Sequence, residues 1–252
     1  MIHETFSVEG TPDLEVRIES GRVEVREGPA AKVDVKVDTK APGFIVEQRG
    51  NAILVSSDKN SSWLSRGSAY VVIETPPGSD LRVAVASASV EADLALGKTE
   101  IKTASGDVDI DTAETLVVKT ASGDLDVRSV SRALRFTSAS GDLRVADYVG
   151  GSVVVSTASG DVHIENTDAN LEMNSASGDA YITRFEGRSA NFKAMSGDID
   201  LGIPAGSDVD LDVTLLSGKL RLPESEPRGR PPDRQMSIRA KLVSGDFTIN
   251  QE

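Results

Sequence analysis

The stretch that decides the fold is Lys102-Thr103-Ala104-Ser105-Gly106-Asp107-Val108-Asp109-Ile110, together with its echo Lys119-Thr120-Ala121-Ser122-Gly123-Asp124-Leu125-Asp126-Val127. In both, a small polar turn runs into alternating apolar and acidic residues. The tripeptide recurs intact as Ser105-Gly106-Asp107, Ser122-Gly123-Asp124, Ser140-Gly141-Asp142, Ser159-Gly160-Asp161, Ser177-Gly178-Asp179, Ser196-Gly197-Asp198 and Ser244-Gly245-Asp246. Average residue usage supplies roughly 0.1 chance copy in a chain this size, so the recurrence marks a structural unit. Ser20-Gly21-Arg22, Ser89-Val90-Glu91 and Ser217-Gly218-Lys219 read as degenerate copies.

From Ser89 to Ser217 the spacings are 16, 17, 18, 19, 18, 19 and 21, and the last gap, 27, holds an insertion. A period near 18 is too short for helix-hairpin repeats or propeller blades, which need roughly 34 and 40 residues. It suits one coil of a β-solenoid. Two places after each Gly stands an apolar residue (Val108, Leu125, Leu143, Val162, Ala180, Ile199, Leu220, Phe247), and two further on another (Ile110, Val127, Val145, Ile164, Ile182, Leu201, Leu222, Ile249). This period of two buries one face and wets the other. A second short strand precedes each turn, from Leu116–Val118 to Val209–Val213. The alanines before most of the serines (Ala104, Ala121, Ala139, Ala158, Ala176) read as tight inward corners, and the bulkier Met195, Leu216 and Val243 as a widening core.

Each coil is thus expected to be strand, Ser-Gly-Asp turn, strand and second turn, with equivalent strands stacked in parallel about 4.8 Å apart. Gly would supply a positive φ, while Ser and Asp hydrogen-bond backbone groups at their own turn. Parallel crossovers favour a right-handed winding. No stretch carries a helical period. The expectation is an all-β, single-stranded right-handed β-solenoid (β-helix) with coils of about 17–19 residues.

Residues 1–85 hold strand candidates without the regular spacing, separated by Gly28-Pro29, Pro42-Gly43, Gly50-Asn51 and Pro76-Pro77-Gly78, and read as an irregular cap continuous with the solenoid. The regular repeats span 86–222. A Pro/Arg-rich loop, 223–237, carries Arg228, Arg230 and Arg234, and 238–252 is a terminal coil. Trp63, the only tryptophan, lies in the longest loop-like segment of the first part and is expected over the open end of the core.

Composition narrows function. Among 252 residues there are 27 Lys plus Arg against 40 Asp plus Glu, a net charge of −13, which argues against a phosphate-binding face. Residues 86–202 hold 19 acids and 10 bases, so most of the acidity follows from an Asp at each turn. The absence of Cys excludes disulfides, thiol nucleophiles and Cys-ligated metal centres, and two His, His3 and His163, are too few for His-rich sites or triads. Met1–Gly10 reads as a strand rather than a basic start followed by an apolar run, and no apolar run is long enough to span a bilayer, so a cytoplasmic location without direct membrane insertion is expected.

The repeated Thr/Ser-Ala-Ser-Gly-Asp units resemble those of the bacterial β-strand-repeat "putative adhesin" family, a domain of unknown function. Lys102–Asp107, Lys119–Asp124 and Ser156–Asp161 carry the resemblance. So do Val72-Ile73-Glu74-Thr75-Pro76 and Leu81-Arg82-Val83 ahead of the repeats. It covers most of the chain, most strongly about 80–250, and implies the fold without transferring a catalytic residue.

Candidate chemistry is sparse. The column Asp107, Asp124, Asp142, Asp161, Asp179 and Asp198 either accepts backbone N–H groups at its turns or lets a calcium ion bridge two or three carboxylates. A second column sets Asp109, Asp126 and Asp200 among Arg144, His163, Tyr181 and Arg221, outward-facing. Paired carboxylates there would suit glycan cleavage, although the short, uniform turns leave no deep cleft. Trp63, Arg228, Arg230 and Arg234 are candidate partner contacts. No catalytic residue and no cofactor is expected. The leading expectation is a non-catalytic scaffold or adhesin-like protein-interaction module, a monomer or small oligomer that binds an unidentified protein. The alternatives are a self-assembling bactofilin-like structural protein and a carbohydrate-binding or carbohydrate-cleaving β-helix.

Overall fold

A computed structural model describes residues 1–40, 43–57, 67–223 and 234–251. Among them there is no helix, and hence none long and apolar enough to cross a membrane. The chain divides into two compact units, Met1–Val127 and Arg128–Glu252.

The first unit begins with β1 (Ile2–Ser7), β2 (Asp13–Glu27), β3 (Lys32–Thr39), β4 (Phe44–Arg49), β5 (Ala52–Ser57) and β6 (Ala69–Thr75). The long β7 (Asp80–Lys102) and β8 (Val108–Lys119) follow. β2 is one continuous strand through Ser20-Gly21-Arg22, and it lies parallel to β7 from Asp13↔Asp80 to Arg26↔Asp93. Parallel stacking therefore starts well before residue 86, and β7 crosses that expected boundary without a break. The register also corrects the second degenerate copy. Gly21 stands opposite Ala88, so the equivalent tripeptide is Ser87-Ala88-Ser89 rather than Ser89-Val90-Glu91. On its other side β2 is flanked by β5 and β6, also parallel, while β4 joins β5, and β3 joins both β6 and β1, in antiparallel pairs.

The second unit takes up the chain within β9 (Leu125–Ser138). It continues through β10 (Leu143–Tyr148), β11 (Ser152–Ser159), β12 (Val162–Thr167), β13 (Asn170–Ser177), β14 (Ala180–Phe185), β15 (Ser189–Ser196) and β16 (Ile199–Ile203). It ends with β17 (Ser207–Ser217), β18 (Leu220–Arg221), β19 (Arg234–Ser244) and β20 (Phe247–Gln251). Two parallel stacks form: β9–β11–β13–β15–β19–β17 and β10–β12–β14–β16–β20–β18. The last coil in sequence is therefore not last in space. β19–β20 sits against β15–β16, and the coil of β17–β18 is displaced to the outside. Phe247 meets Phe192 edge-on, ring centroids 6.0 Å apart.

The alternating apolar columns are buried in both units, from Val108 and Ile110 to Phe247 and Ile249, except in the outermost coil, where Leu220 and Leu222 are exposed. The residues before the serines are not inward corners. Ala104, Ala121, Ala139, Ala158 and Ala176 all face solvent. Met195, Leu216 and Val243 are exposed as well, so the core does not widen there. The inward position at the turn belongs instead to Thr103, Ser138 and Thr157, all buried. Arg234 lies in β19, so the expected loop 223–237 ends earlier than its proline pattern implied.

Candidate functional site

The most regular chemistry is the turn column. In the first unit the Asp124 N–H donates to Asp107 Oδ1 at 3.1 Å. In the second unit the N–H of Asp161 donates to Asp142 (2.9 Å), Asp179 to Asp161 (2.9 Å), Asp198 to Asp179 (2.7 Å), Asp246 to Asp198 (2.8 Å) and Lys219 to Asp246 (2.8 Å). Asp107, Asp142, Asp161, Asp179, Asp198 and Asp246 each serve the neighbouring coil, not their own turn as expected, and these carboxylates form a ladder of charge-assisted bonds. The ladder explains the coil order. Lys219 donates an N–H but has no carboxylate to offer a further coil, so Ser217-Gly218-Lys219 belongs at the end. An acceptor oxygen of Asp107, Asp142, Asp161, Asp179, Asp198 and Asp246 is engaged in this way, and among the described residues no three His, Asp or Glu side chains cluster closely enough to hold a metal ion.

The glycines stack too. A Cβ on Gly197 would lie 2.2 Å from the Gly178 carbonyl oxygen, and Gly197 has φ +132°. Gly106, Gly123 and Gly160 need glycine for space alone, since none has a positive φ while a Cβ would meet the carbonyl oxygen of the adjacent coil at 1.8–2.3 Å. The glycine N–H groups divide into two modes. Gly106, Gly123 and Gly141 donate to the hydroxyls of Thr103, Thr120 and Ser138 at 2.6–2.8 Å. Gly160, Gly178, Gly197 and Gly245 donate to the serine carbonyls of Ser177, Ser196, Ser244 and Ser217. Sequence reading missed the capping hydroxyls, although the Thr/Ser three places before glycine was there to be seen.

The outward column separates by unit. In the first unit Asp109 stands opposite Glu91, and burial followed by the charges of Asp126, Glu91, Asp93 and Asp111 raises its pKa. In the second unit register places Arg144, His163, Tyr181, Asp200, Thr248 and Arg221 side by side along one face. His163, Tyr181, Asp200, Gly202 and Asn250 line a shallow groove of about 260 Å³. The Asn250 amide donates to Asp200 Oδ1 at 2.6 Å, and the Tyr181 hydroxyl donates to Asp179 Oδ2 at 3.2 Å, which orients a half-exposed ring. The Asp179 charge, ahead of burial, raises the Tyr181 pKa. Arg221 turns away from this row to pair with Asp246 at 2.8 Å.

A second groove, about 370 Å³, is lined by Asp147, Val149, Asn166, Asp168, Arg184 and Glu186 with the edge of buried Tyr148. Here Asn166 donates to Asp147 at 3.0 Å, and the Gly150 N–H donates to Asp168. Glu186 is held below its ordinary pKa by Arg184, at 2.6 Å, and Arg234, at 2.5 Å. Arg234, expected as a partner contact, is thus engaged within the unit. Trp63, Arg228 and Arg230 lie outside the described residues. Asn166, Arg184, Glu186 and Asn250 escaped sequence reading because each sits beyond the alternating segment.

Residues 12–250 match the profile of the Toastrack DUF4097 family. The chain belongs to that family. The Toastrack fold is all-β and solenoid-like, in keeping with the stacked parallel coils. No curated protein matches the chain. Among solved structures, a putative adhesin of Parabacteroides distasonis is 13% identical, with 98% of this chain and 96% of that one covered at a TM-score of 0.54, a likeness of fold. A putative lipid binding protein of the same species is also 13% identical over 97% and 96%, at a TM-score of 0.48. A putative adhesin of Bacteroides fragilis is 14% identical over 98% and 96%, at 0.42.

Proposed function

We propose that this Toastrack chain is a non-catalytic interaction module, a right-handed solenoid with coils of about 17–19 residues, whose recognition surface is the outward face around Tyr181. Turn-aspartate bonds spanning 18 and 19 residues in the second unit support that coil length. One observation carries the functional reading: Tyr181, His163, Asp200 and Asn250 converge on a groove in which the Tyr181 ring is half-exposed and oriented by Asp179. Half-exposed aromatic rings flanked by satisfied polar groups are the usual anchors of protein recognition. The carboxylates of the second groove are held by Asn166, the Gly150 N–H, Arg184 and Arg234, which leaves no pair poised as acid and base. An unidentified protein partner, a cytoplasmic location and the absence of nucleic-acid binding belong to this reading.

The test is quantitative affinity capture from the native host with wild type and Tyr181→Ala. A partner bound directly by purified wild type and lost from the variant supports the surface. A partner retained equally by both overturns it. A sugar-binding reading draws on the same groove, because an oriented ring beside a hydrogen-bonded Asp200–Asn250 pair suits a pyranose face and its hydroxyls. Tyr181-dependent binding to a glycan array would favour it over a protein partner.

A further inference from the structure

The outermost coil of the second unit is unfinished. β17 pairs with β19 on one side only, and among the described residues no strand pairs with its other edge. Its inward row, Val209, Leu211, Val213 and Leu215, stays half-buried, whereas the row it lies against, Met236, Ile238, Ala240 and Leu242, is at most 3% exposed. Leu216, Leu220 and Leu222 are 76%, 44% and 52% exposed. From Asp210 to Leu216 this sets an edge with no strand beside it among the described residues next to apolar side chains, and such an edge invites another strand.

The chemistry of the edge selects its occupant. A further parallel coil is disfavoured, because Lys219 stands where each preceding coil supplies the next with an aspartate oxygen. Strand β17 is, however, complementary to itself when reversed. Centred on Val213, an antiparallel copy sets Leu211 against the copy's Leu215, Val213 against Val213, Asp212 against Thr214 and Asp210 against Leu216. No carboxylate then faces a carboxylate, and Asp212 keeps Arg239 beside it in register. The apolar rows of both copies point to the same side, so the two cores join. A centre on Asp212 instead would oppose two carboxylates directly. We infer that a second copy of this chain docks on β17, giving a head-to-head two-fold dimer whose axis passes Val213. Such an isologous contact closes on itself, unlike the open head-to-tail stacking of a filament.

Sedimentation over a range of concentrations should show a 26.6 kDa monomer in equilibrium with a species of twice that mass. Because each copy is strongly acidic, association should tighten between about 0.05 M and about 0.5 M salt. The chain has no cysteine, so Val213→Cys introduces a single thiol. Opposed residues of an antiparallel pair lie within disulfide reach. Mild oxidation should convert most of V213C to a covalent dimer, while V149C, exposed on another part of the unit, stays monomeric. Val213→Lys should weaken association about a hundredfold or more, the scale of stranding a charge in an interface core. A chain that remains monomeric at the highest concentration overturns the proposal, as does a dimer in which V213C links no better than V149C. If V213K fails to fold, the cysteine result on the otherwise native surface still decides.

Discussion

Gly106 of the first unit and Gly197 of the second occupy the same tripeptide but meet different local demands. Gly106 is capped within its own coil by Thr103 Oγ1, whereas Gly197 has φ +132° and donates across to the Ser244 carbonyl. One glycine N–H is satisfied within its own coil and the other by a carbonyl of the neighbouring coil. A short motif therefore marks where the chain turns, while the neighbouring coil decides how the turn's hydrogen bonds are met.

The largest effect expected from this contrast is at the stacked glycines. Gly197→Ala would drive a Cβ into the Gly178 carbonyl and strain a positive φ, costing about 3 kcal/mol or more. Gly78→Ala in the first unit, with φ +82° and open space around the added atom, should cost only about 1 kcal/mol. Denaturant unfolding of both variants checks this, and equal losses would show that stacking adds nothing to the strain at Gly197.

Next in size is the carboxylate ladder. Asp179→Ala leaves the Asp198 N–H without its acceptor and should cost about 1–3 kcal/mol. Asp179→Asn keeps an acceptor oxygen and should recover part of that loss, read by thermal melting of the two side by side. Besides its own ladder bond from Asp124 to Asp107, the first unit holds a carboxylate of another kind. Asp34 accepts bonds from Thr5 (2.7 Å), His3 (2.8 Å) and Lys36. Although burial opposes ionisation, these partners hold it at about 2 against an ordinary 3.8. A depressed carboxylate contributes stability above its unfolded value and loses it as pH falls through the folded one. The loss should therefore run from about pH 4 down to about pH 2 and amount to about 1–2 kcal/mol, since His3 and Lys36 are half exposed. Melting temperature against pH should flatten over that window in Asp34→Asn.

The smallest effect sharpens the contrast most. Thr103→Val removes the cap from Gly106 and should cost about 1 kcal/mol. Thr157→Val should be neutral or slightly stabilising, because the buried Thr157 hydroxyl has no hydrogen-bond partner among the described residues and Gly160 donates to Ser177 instead. Matched chemical unfolding of the pair separates the two turn modes directly.

Strand positions were largely legible from residues alone. The turn signals Gly28-Pro29, Gly50-Asn51 and Pro76-Pro77-Gly78 fall between β2 and β3, β4 and β5, and β6 and β7, because turn chemistry and alternation are local properties of the chain. The exposed alanines were misread for the same reason. Small size fits a tight corner, but only the three-dimensional turn shows that Thr103 and Ser138 fill it. The groove around Tyr181 was half legible. His163, Tyr181 and Asp200 share a column one period apart, whereas Asn250 reaches Asp200 only because β20 lies beside β16.

By itself the sequence determined an all-β chain, the spacing of its Ser-Gly-Asp turns, the inward and outward columns and the aspartate at each turn. All of these follow from short-range alternation and from the backbone demands of a tight turn. Only the tertiary structure decided which coil stacks on which, that each aspartate serves its neighbour, and that β17 is left at an open edge. Those outcomes turn on contacts between distant segments, such as Asp198 and Asp246, whose sequence separation is 48. Closing a longer loop adds little entropy cost, so the Asp246 coil, which can both donate to the ladder and accept from it, takes the inner place. The coil ending in Lys219 can only donate, and it stays outside.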